Sequence, residues 1–540
     1  MDSPSMKQTR LITSQTKNKL GYHAVSLLVS PLFIFGLLST FSSTPVYAEM
    51  PIPTMNMAPS MDRAPDLPEP AAVAIQPLDN LDKLSPDLSN SDRYRAPDEQ
   101  HKKALEDHKQ QKQQKPVNVT DEDVKNNPQI AEIIISTSIQ KRDWKTLEKV
   151  LPLYLQSVKH DPMLVLYAQG ALFRHQGKHK QAIQQYQKML ENDATLDYVR
   201  FDLGAMLFEN RQYREAEKIF IQTRDNSEVE QNFRILSEKF LQQIQKQEKV
   251  SGKARLRFVQ NDNVNQSTAD RYLTIGDWIL TKKDENMPQS SIGTNYMLDF
   301  EQNYNLTGNH SINWNASING LNYASAHDFD EHGINLGLNY KWQDTKSWFY
   351  IGPSLSWNWL GRERYVDSYG WSSNYGRWLS PRWQATIMGG WRDKTYKNSM
   401  YSAFNGNTIL LSPSIVYLFS ADSAIFGGLI WQREDVKTQS ESFNLYGANL
   451  GMSKQWKNGF NATANTQLAW RKYLTNHPTF TALERKDRRL NAMINVGHKK
   501  LNFWQVEPKL GFQYDDVDSN IDVFYTRTIR QWMLTFERKF

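Results

Sequence analysis

The 540-residue sequence contains no cysteine. That excludes a disulfide framework, a zinc–thiolate site and a thiol nucleophile. Beyond its first fifty residues it also lacks any run of 18 consecutive apolar residues, which excludes a bundle of transmembrane helices. Neither sign of charge dominates: 64 Lys and Arg face 58 Asp and Glu, a formal net charge of +6. So mild a balance argues for a solvated surface and against nucleic-acid binding. Hydrophobic residues make up 39% and mean hydropathy is -0.65, low for one large soluble core. GxSxG, HExxH, P-loop and GxGxxG motifs in their structural contexts are missing, so neither an enzyme nor a cofactor is expected. One polar cluster, AHDFDEH with His327, Asp328, Asp330, Glu331 and His332, has the residue types of a metal site. It is read as solvated loop, with no metal.

What is present begins at the N-terminus. Lys7, Arg10, Lys17 and Lys19 precede an apolar run, Ala24–Leu38, and Val46-Tyr47-Ala48 forms a small-x-small cleavage pattern. This is the grammar of a secretory signal peptide over residues 1–48, cut between Ala48 and Glu49. Residues 49–128 are rich in Pro, Asp, Lys and Gln, with too few apolar residues to build a core. They are read as a disordered linker.

From 129 to 249 the pattern is helical and repeats. Gly170 matches Gly204, Ala171 matches Ala205, Ala182 matches Ala216 and Tyr186 matches Phe220, each at an offset of 34 residues. That period belongs to the tetratricopeptide (TPR) helix pair. A degenerate repeat covers Ile130–Pro162, with Ser136 and Glu148 in place of the Gly and Ala, and a last helix over Glu228–Gln247 caps the array. Tyr167, Arg174, Tyr198 and Phe201 fall on groove-lining positions and are the candidate client-binding residues.

After Gly252 the chemistry changes. Fifteen of the 16 tryptophans lie beyond residue 250, and alternation at period two takes over. In HSINWNASIN, Ile312, Trp314, Ala316 and Ile318 alternate with Ser311, Asn313, Asn315, Ser317 and Asn319. Fourteen such strands are expected over 250–540. Aromatic residues fall at strand ends, as in Trp348–Trp359 and Trp383–Trp391, where a transmembrane strand carries them. Connections after even-numbered strands are short and those after odd-numbered strands long, the asymmetry of an outer-membrane β-barrel. On this reading Leu360–Ser368 is a long loop and Lys499–Leu501 a short turn. The last strand sets Trp532, Leu534, Phe536 and Phe540 on one face, which resembles the signal read by the bacterial barrel-assembly machinery. The fold expected is therefore α+β multidomain: TPR-like helices, then a 14-stranded antiparallel barrel whose apolar face meets outer-membrane lipid. Its lumen is lined by amides, among them Asn313, Asn315, Asn339, Asn358, Asn465 and Asn491. Such a wall is nearly neutral and offers donors and acceptors in both senses, as suits a polypeptide backbone.

This order of parts resembles the surface lipoprotein assembly modulators (Slam family, type XI secretion) of Gram-negative bacteria. The likeness rests on the barrel entry Arg255–Gln266, with its run Asn261–Asn265, and on the end Asp518–Phe540, where Ser519-Asn520-Ile521 leads into the closing strand. It spans about residues 130–540. It implies a non-enzymatic translocator in the outer membrane with its repeats in the periplasm. Its partners would be a surface lipoprotein or secreted haem-binding client and a periplasmic chaperone. A polysaccharide export porin with a periplasmic TPR domain is the alternative, and a passive nutrient porin is disfavoured because simple diffusion needs no docking module.

Overall fold

The computed structural model describes residues 121–540 apart from 276–277, 421, 478–482, 505 and 507. The expected signal segment, its Ala48–Glu49 junction and most of the expected linker lie outside the described residues.

Among the described residues eight helices come first: α1 (Asp121–Asn126), α2 (Pro128–Lys141), α3 (Trp144–Tyr154), α4 (Pro162–His175), α5 (His179–Asn192), α6 (Asp197–Glu209), α7 (Tyr213–Asp225) and α8 (Gln231–Glu248). Helix starts are written locally. Asn127, Asp143 and Asp161 cap α2, α3 and α4 by accepting from the backbone N–H of Ile130, Thr146 and Met163, and Pro128 and Pro162 open their helices. Helix α1 falls inside the stretch read as linker. Its Val124 is buried in one cluster with Ala131, Ile135 and Leu147, so a single apolar residue secures an otherwise polar turn.

The 34-residue repeat is physical. A Cβ on Gly170 would overlap the ring of Tyr186, which lies one helix on. A Cβ on Gly204 would come within 2.9–3.1 Å of Ile219 and Phe220. Ala182 and Ala216 are fully buried. The missing side chains let paired helices approach, and the aromatic ring fills the space they leave.

Fourteen strands then close an antiparallel barrel in sequential order: β1 (Ser251–Asn261), β4 (Ser291–Asn305), β5 (His310–Tyr323), β6 (Glu331–Gln343), β7 (Ser347–Leu360), β8 (Glu363–Ser380), β9 (Trp383–Tyr396), β10 (Gly406–Ser420), β11 (Ser423–Val436), β12 (Phe443–Gln455), β13 (Phe460–Asn476), β14 (Glu484–His498), β15 (Lys509–Ser519) and β16 (Arg527–Lys539). A separate hairpin, β2 (Tyr272–Ile275) and β3 (Trp278–Thr281), sits in the connection after β1. Strand β1 pairs with both β4 and β16, which leaves the sheet no edge. Beyond the last ladder pair, Gly252 and Phe540 exchange backbone hydrogen bonds of 2.7 and 2.9 Å.

Alternation sorts the two faces. Ile312, Ile318, Ile334, Leu336, Leu338, Ile351 and Leu355 point outward and are exposed, while Ser311, Asn319, Asn335 and Ser356 on the same strands are buried. On β13 the outward Phe460 and Trp470 are separated by ten residues. At ~3.3 Å per residue and a strand tilt of ~40° these rings stand about 25 Å apart, the height of a barrel's apolar band.

Two connections differ from expectation. Leu360–Ser368 is no long loop: only Gly361 and Arg362 join β7 to β8, because Glu363–Ser368 continues the ladder with β7. Its Tyr365 is buried against Tyr396 and Tyr401, which ties the extended hairpin to its neighbour. Conversely, the connection from β14 to β15 runs from Lys499 to 508, with a short 3-10 turn at Lys499–Leu501. The remaining connections keep the alternation, so the barrel has a short-turn end and a long-loop end.

Candidate functional site

The site is the barrel lumen with its two ends. The strand period places Asn313, Asn315, Asn339, Asn358, Asn465 and Asn491 on the inward face. Asn313 donates to Asn303 Oδ1 at 3.1 Å, Asn358 to Ser356 Oγ at 3.4 Å and Asn491 to Asp515 Oδ2 at 3.3 Å. The wall is not the nearly neutral amide surface that was expected. Arg257, Arg392, Lys394, Glu434, Arg471, Arg485, Asp487, Arg489, Asp515 and Arg527 are also buried inside the barrel. Many are paired: Lys394 with Glu434, Arg489 with Asp515, and Arg485 with Asp487 through bonds of 2.9 and 2.7 Å. Bidentate pairing of this kind offsets the cost of taking each charge from bulk water. The signal was present in RKDRRLN, where Arg485, Asp487 and Arg489 alternate at period two on the face opposite Lys486 and Arg488.

At the long-loop end a segment of the chain folds into the barrel. Residues 520–526, which include the short helix α9 (Asp522–Tyr525), turn into the barrel between β15 and β16. Ile521 and Tyr525 are buried in one cluster with Met388, Leu410, Ile430, Phe443, Leu445, Ala469 and Tyr473, all inward-facing. The Arg485 guanidinium lies 3.3 Å from the centroid of the Tyr525 ring and 4.6 Å from that of Tyr473, and the Tyr525 hydroxyl meets His477 Nε2 at 2.8 Å. The segment Ser519-Asn520-Ile521 anchors this excursion. Asn520 receives a bond from the Lys486 N–H at 2.7 Å and donates to the Glu484 carbonyl at 2.8 Å, while the Ser519 N–H donates to Thr526 Oγ1 at 3.1 Å.

The run Asn261–Asn265 pins the long connection after β1. Asn261 donates to the Tyr323 hydroxyl at 3.2 Å, Asn263 to the carbonyls of Ser267 and Thr528 at 2.8 and 3.1 Å, and Asn265 to the carbonyl of Met287 at 2.8 Å. Asp262 accepts from the Arg530 N–H at 2.7 Å. Asp262 and Asn263 tie the loop to β16 across the closing seam, Asn261 ties it to β5, and Asn265 holds the loop to itself. In the polar cluster of the next loop, His327 pairs with Asp330 at 3.1 Å, whereas His332 meets the Tyr296 hydroxyl at 2.9 Å. Among the described residues no group of three His, Asp or Glu side chains converges as metal ligands.

The short-turn end carries the helical array. The turn between β4 and β5 receives a bond from Arg214 Nε to the Asn305 carbonyl at 3.0 Å and one from Gln212 Nε2 to Asn309 Oδ1 at 3.0 Å. The Gly308 N–H donates to Glu215 at 2.9 Å. Glu248, at the end of α8, accepts from the Asn305 N–H at 3.1 Å and pairs with Arg214 at 3.1 Å. The turn between β6 and β7 brings Thr345 Oγ1 to 3.4 Å from His179 Nδ1. Hence α5, α7 and α8 sit on the rim beneath β4–β7, beside the closing seam.

The four candidate groove residues separate in the structure. Tyr167 and Tyr198 are half-buried and contact each other edge to face at 5.8 Å, and Tyr167 stacks on Tyr186 at 5.5 Å. Arg174 is held by Glu209, which also meets His179 at 3.5 Å. Burial alone would raise the Glu209 carboxyl, but the Arg174 charge outweighs it and holds the group down at about 2. Phe201 does not line a groove. It is only 3% exposed, packed against Phe220, Phe233 and Phe240, because the capping helix α8 covers a position that open repeats leave free.

With this geometry in view, comparison with known proteins gives a consistent result. The family model described as "Surface lipoprotein assembly modifier" matches residues 251–540. The model for that family's N-terminal TPR repeats matches residues 117–220. The surface lipoprotein assembly modifier of Pasteurella multocida is 22% identical over 78% of this chain and 86% of its own length. The hemophilin secretion modulator of Acinetobacter baumannii is 23% identical over 78% and 88%, and the surface lipoprotein assembly modifier 1 of Neisseria meningitidis 24% identical over 77% and 83%.

Proposed function

The chain belongs to the surface lipoprotein assembly modifier family, a family of non-enzymatic outer-membrane β-barrel proteins, and from that premise we propose that it delivers specific client proteins to the cell surface. The helical array stands in the periplasm, where it receives a client or the chaperone that carries it. The observation that carries this reading is the hydrogen-bonded seat of the array on the short-turn rim. A docking module fixed at one mouth of a barrel can hand a chain directly to the lumen. Tyr167 and Tyr198 remain the groove residues open to a client, while Arg174 is committed to Glu209. The inward asparagines supply exchangeable donors and acceptors along the route. The client is a surface lipoprotein or a secreted haem-binding protein; the relatives are named for surface lipoprotein assembly and for hemophilin secretion. The outward face of Trp532, Leu534, Phe536 and Phe540 is presented to the barrel-assembly machinery and then to lipid.

A polysaccharide exporter would need lumenal charge left over to hold a polyanion. The buried wall residues named above hold seven cations against three carboxylates, so the lumen does carry such an excess, and it is the family membership that favours a protein client over a polyanion. The test is deletion of the gene followed by staining of intact cells for a co-expressed client lipoprotein. Surface display should fall and return with the wild-type gene. Unchanged display with loss of surface polysaccharide would overturn the proposal.

A further inference from the structure

A lumen that carries water favours polar side chains on its wall. On five consecutive strands, β9 to β13, this wall instead turns apolar at Met388, Leu410, Ile430, Phe443, Leu445 and Tyr473. Bare, such a patch would meet water unfavourably. The chain covers it with residues 520–526, and the contact has the form of peptide recognition. Ile521 enters among aliphatic side chains. Tyr525, four residues on, lies on the Arg485 guanidinium, whose other aromatic contact is Tyr473, and the Tyr525 hydroxyl reaches His477. The Asp487 carboxylate fixes the guanidinium by two bonds, so the stacking surface is preorganised. Nothing in these contacts requires the segment to be part of the same chain: any extended segment with an aliphatic residue and an aromatic residue at that spacing offers the same groups.

We infer that the lumen carries a receptor site for an aliphatic–aromatic polypeptide segment, built around Phe443, Leu445, Tyr473 and Arg485. Residues 520–526 occupy it as a resident plug that a passing polypeptide of the same chemistry displaces. The identity of the occupant as a polypeptide rests on the function proposed above; the plug itself does not. Exchange of one segment for another keeps the lumen sealed to small solutes while a chain passes. It also explains why an apolar patch is retained in a polar channel.

The experiment uses the full chain in planar lipid bilayers, with heat-modifiable mobility on SDS gels confirming a folded barrel for every variant. The wild type should conduct poorly. The double variant Ile521→Ser/Tyr525→Ser should conduct several-fold more. The synthetic peptide SNIDVFYT, the sequence of Ser519–Thr526, should return its current towards the wild-type level, whereas the same peptide with Ile and Tyr replaced by Ser should not. Arg485→Lys, added to the double variant, keeps the charge beside Asp487 but loses the planar stacking surface, and should weaken block at least tenfold. A folded double variant with wild-type conductance would overturn the plug. Equal block by both peptides would overturn the receptor site. The readout needs no client, so normal gating together with unimpaired client display in a strain lacking the gene would sink the proposed function and leave the plug standing.

Discussion

Replacing Leu336 by Arg tests the orientation of the whole barrel. Leu336 is 41% exposed on the outward face of β6, flanked across the ladders by Ala316 and Leu355. It lies four residues from the outward Tyr340. At ~3.3 Å per residue and ~40° tilt that is about 10 Å inside the aromatic girdle, close to the middle of a ~25 Å apolar band. A charged side chain there costs ~2–4 kcal/mol. At about 1.4 kcal/mol per tenfold this is roughly a 30- to 700-fold loss in the folding equilibrium. The matched control is Ser317→Arg on β5. Ser317 faces inward and donates to Asp299 Oδ1 at 2.8 Å, so the new guanidinium meets a carboxylate. It should shift stability by no more than ~0.5 kcal/mol. Urea unfolding in lipid vesicles, followed by tryptophan fluorescence, measures both. Equal losses at the two positions would refute the assignment of inside and outside.

Gly170→Ala should destabilise the helical region by about 1–3 kcal/mol, because the added methyl meets a buried Tyr186 ring with no room to move, and a lowered melting temperature by circular dichroism would register it. Glu209, whose carboxyl is held at about 2, stabilises the folded array at neutral pH. A group depressed on folding contributes above its ordinary value and loses that contribution as pH falls, so helical stability should decline from about pH 4.5 towards pH 2. Glu209→Gln should flatten the decline, and an unchanged pH profile would show that the Arg174 pair is not its source. Glu434→Leu leaves the inward Lys394 without its carboxylate and should cost about 3 kcal/mol, whereas Lys394→Met/Glu434→Leu should recover most of the loss in the same urea assay.

Much of the molecule was legible residue by residue. The 34-residue offset named the helix pair, and Gly170 beside Tyr186 shows why that spacing holds. Period-two alternation assigned the faces of β5 and β6 because a strand turns each successive side chain to the opposite side, a purely local rule. The same rule put Arg485, Asp487 and Arg489 inside, although a wall of amides was expected. Local pattern says where a side chain points and is silent on which carboxylate awaits it on the next strand.

Contacts between distant parts were decided by tertiary structure alone. Phe201 shares its repeat position with Tyr167, yet α8 buries the first while the second is only half-buried. Leu360–Ser368 reads as polar loop, but Glu363–Ser368 continues a strand because the end of β7 is there to pair with it. Ser519-Asn520-Ile521 reads as the lead into the closing strand, and only the closed barrel turns the residues after it inward and brings Arg485 and Tyr473 around Tyr525. The sequence by itself determined the repeat, the strand period and the inward–outward sense of each strand, since these depend on spacings of a few residues. The fold decided which inward groups meet across the lumen, since that depends on the closure of strands hundreds of residues apart in sequence.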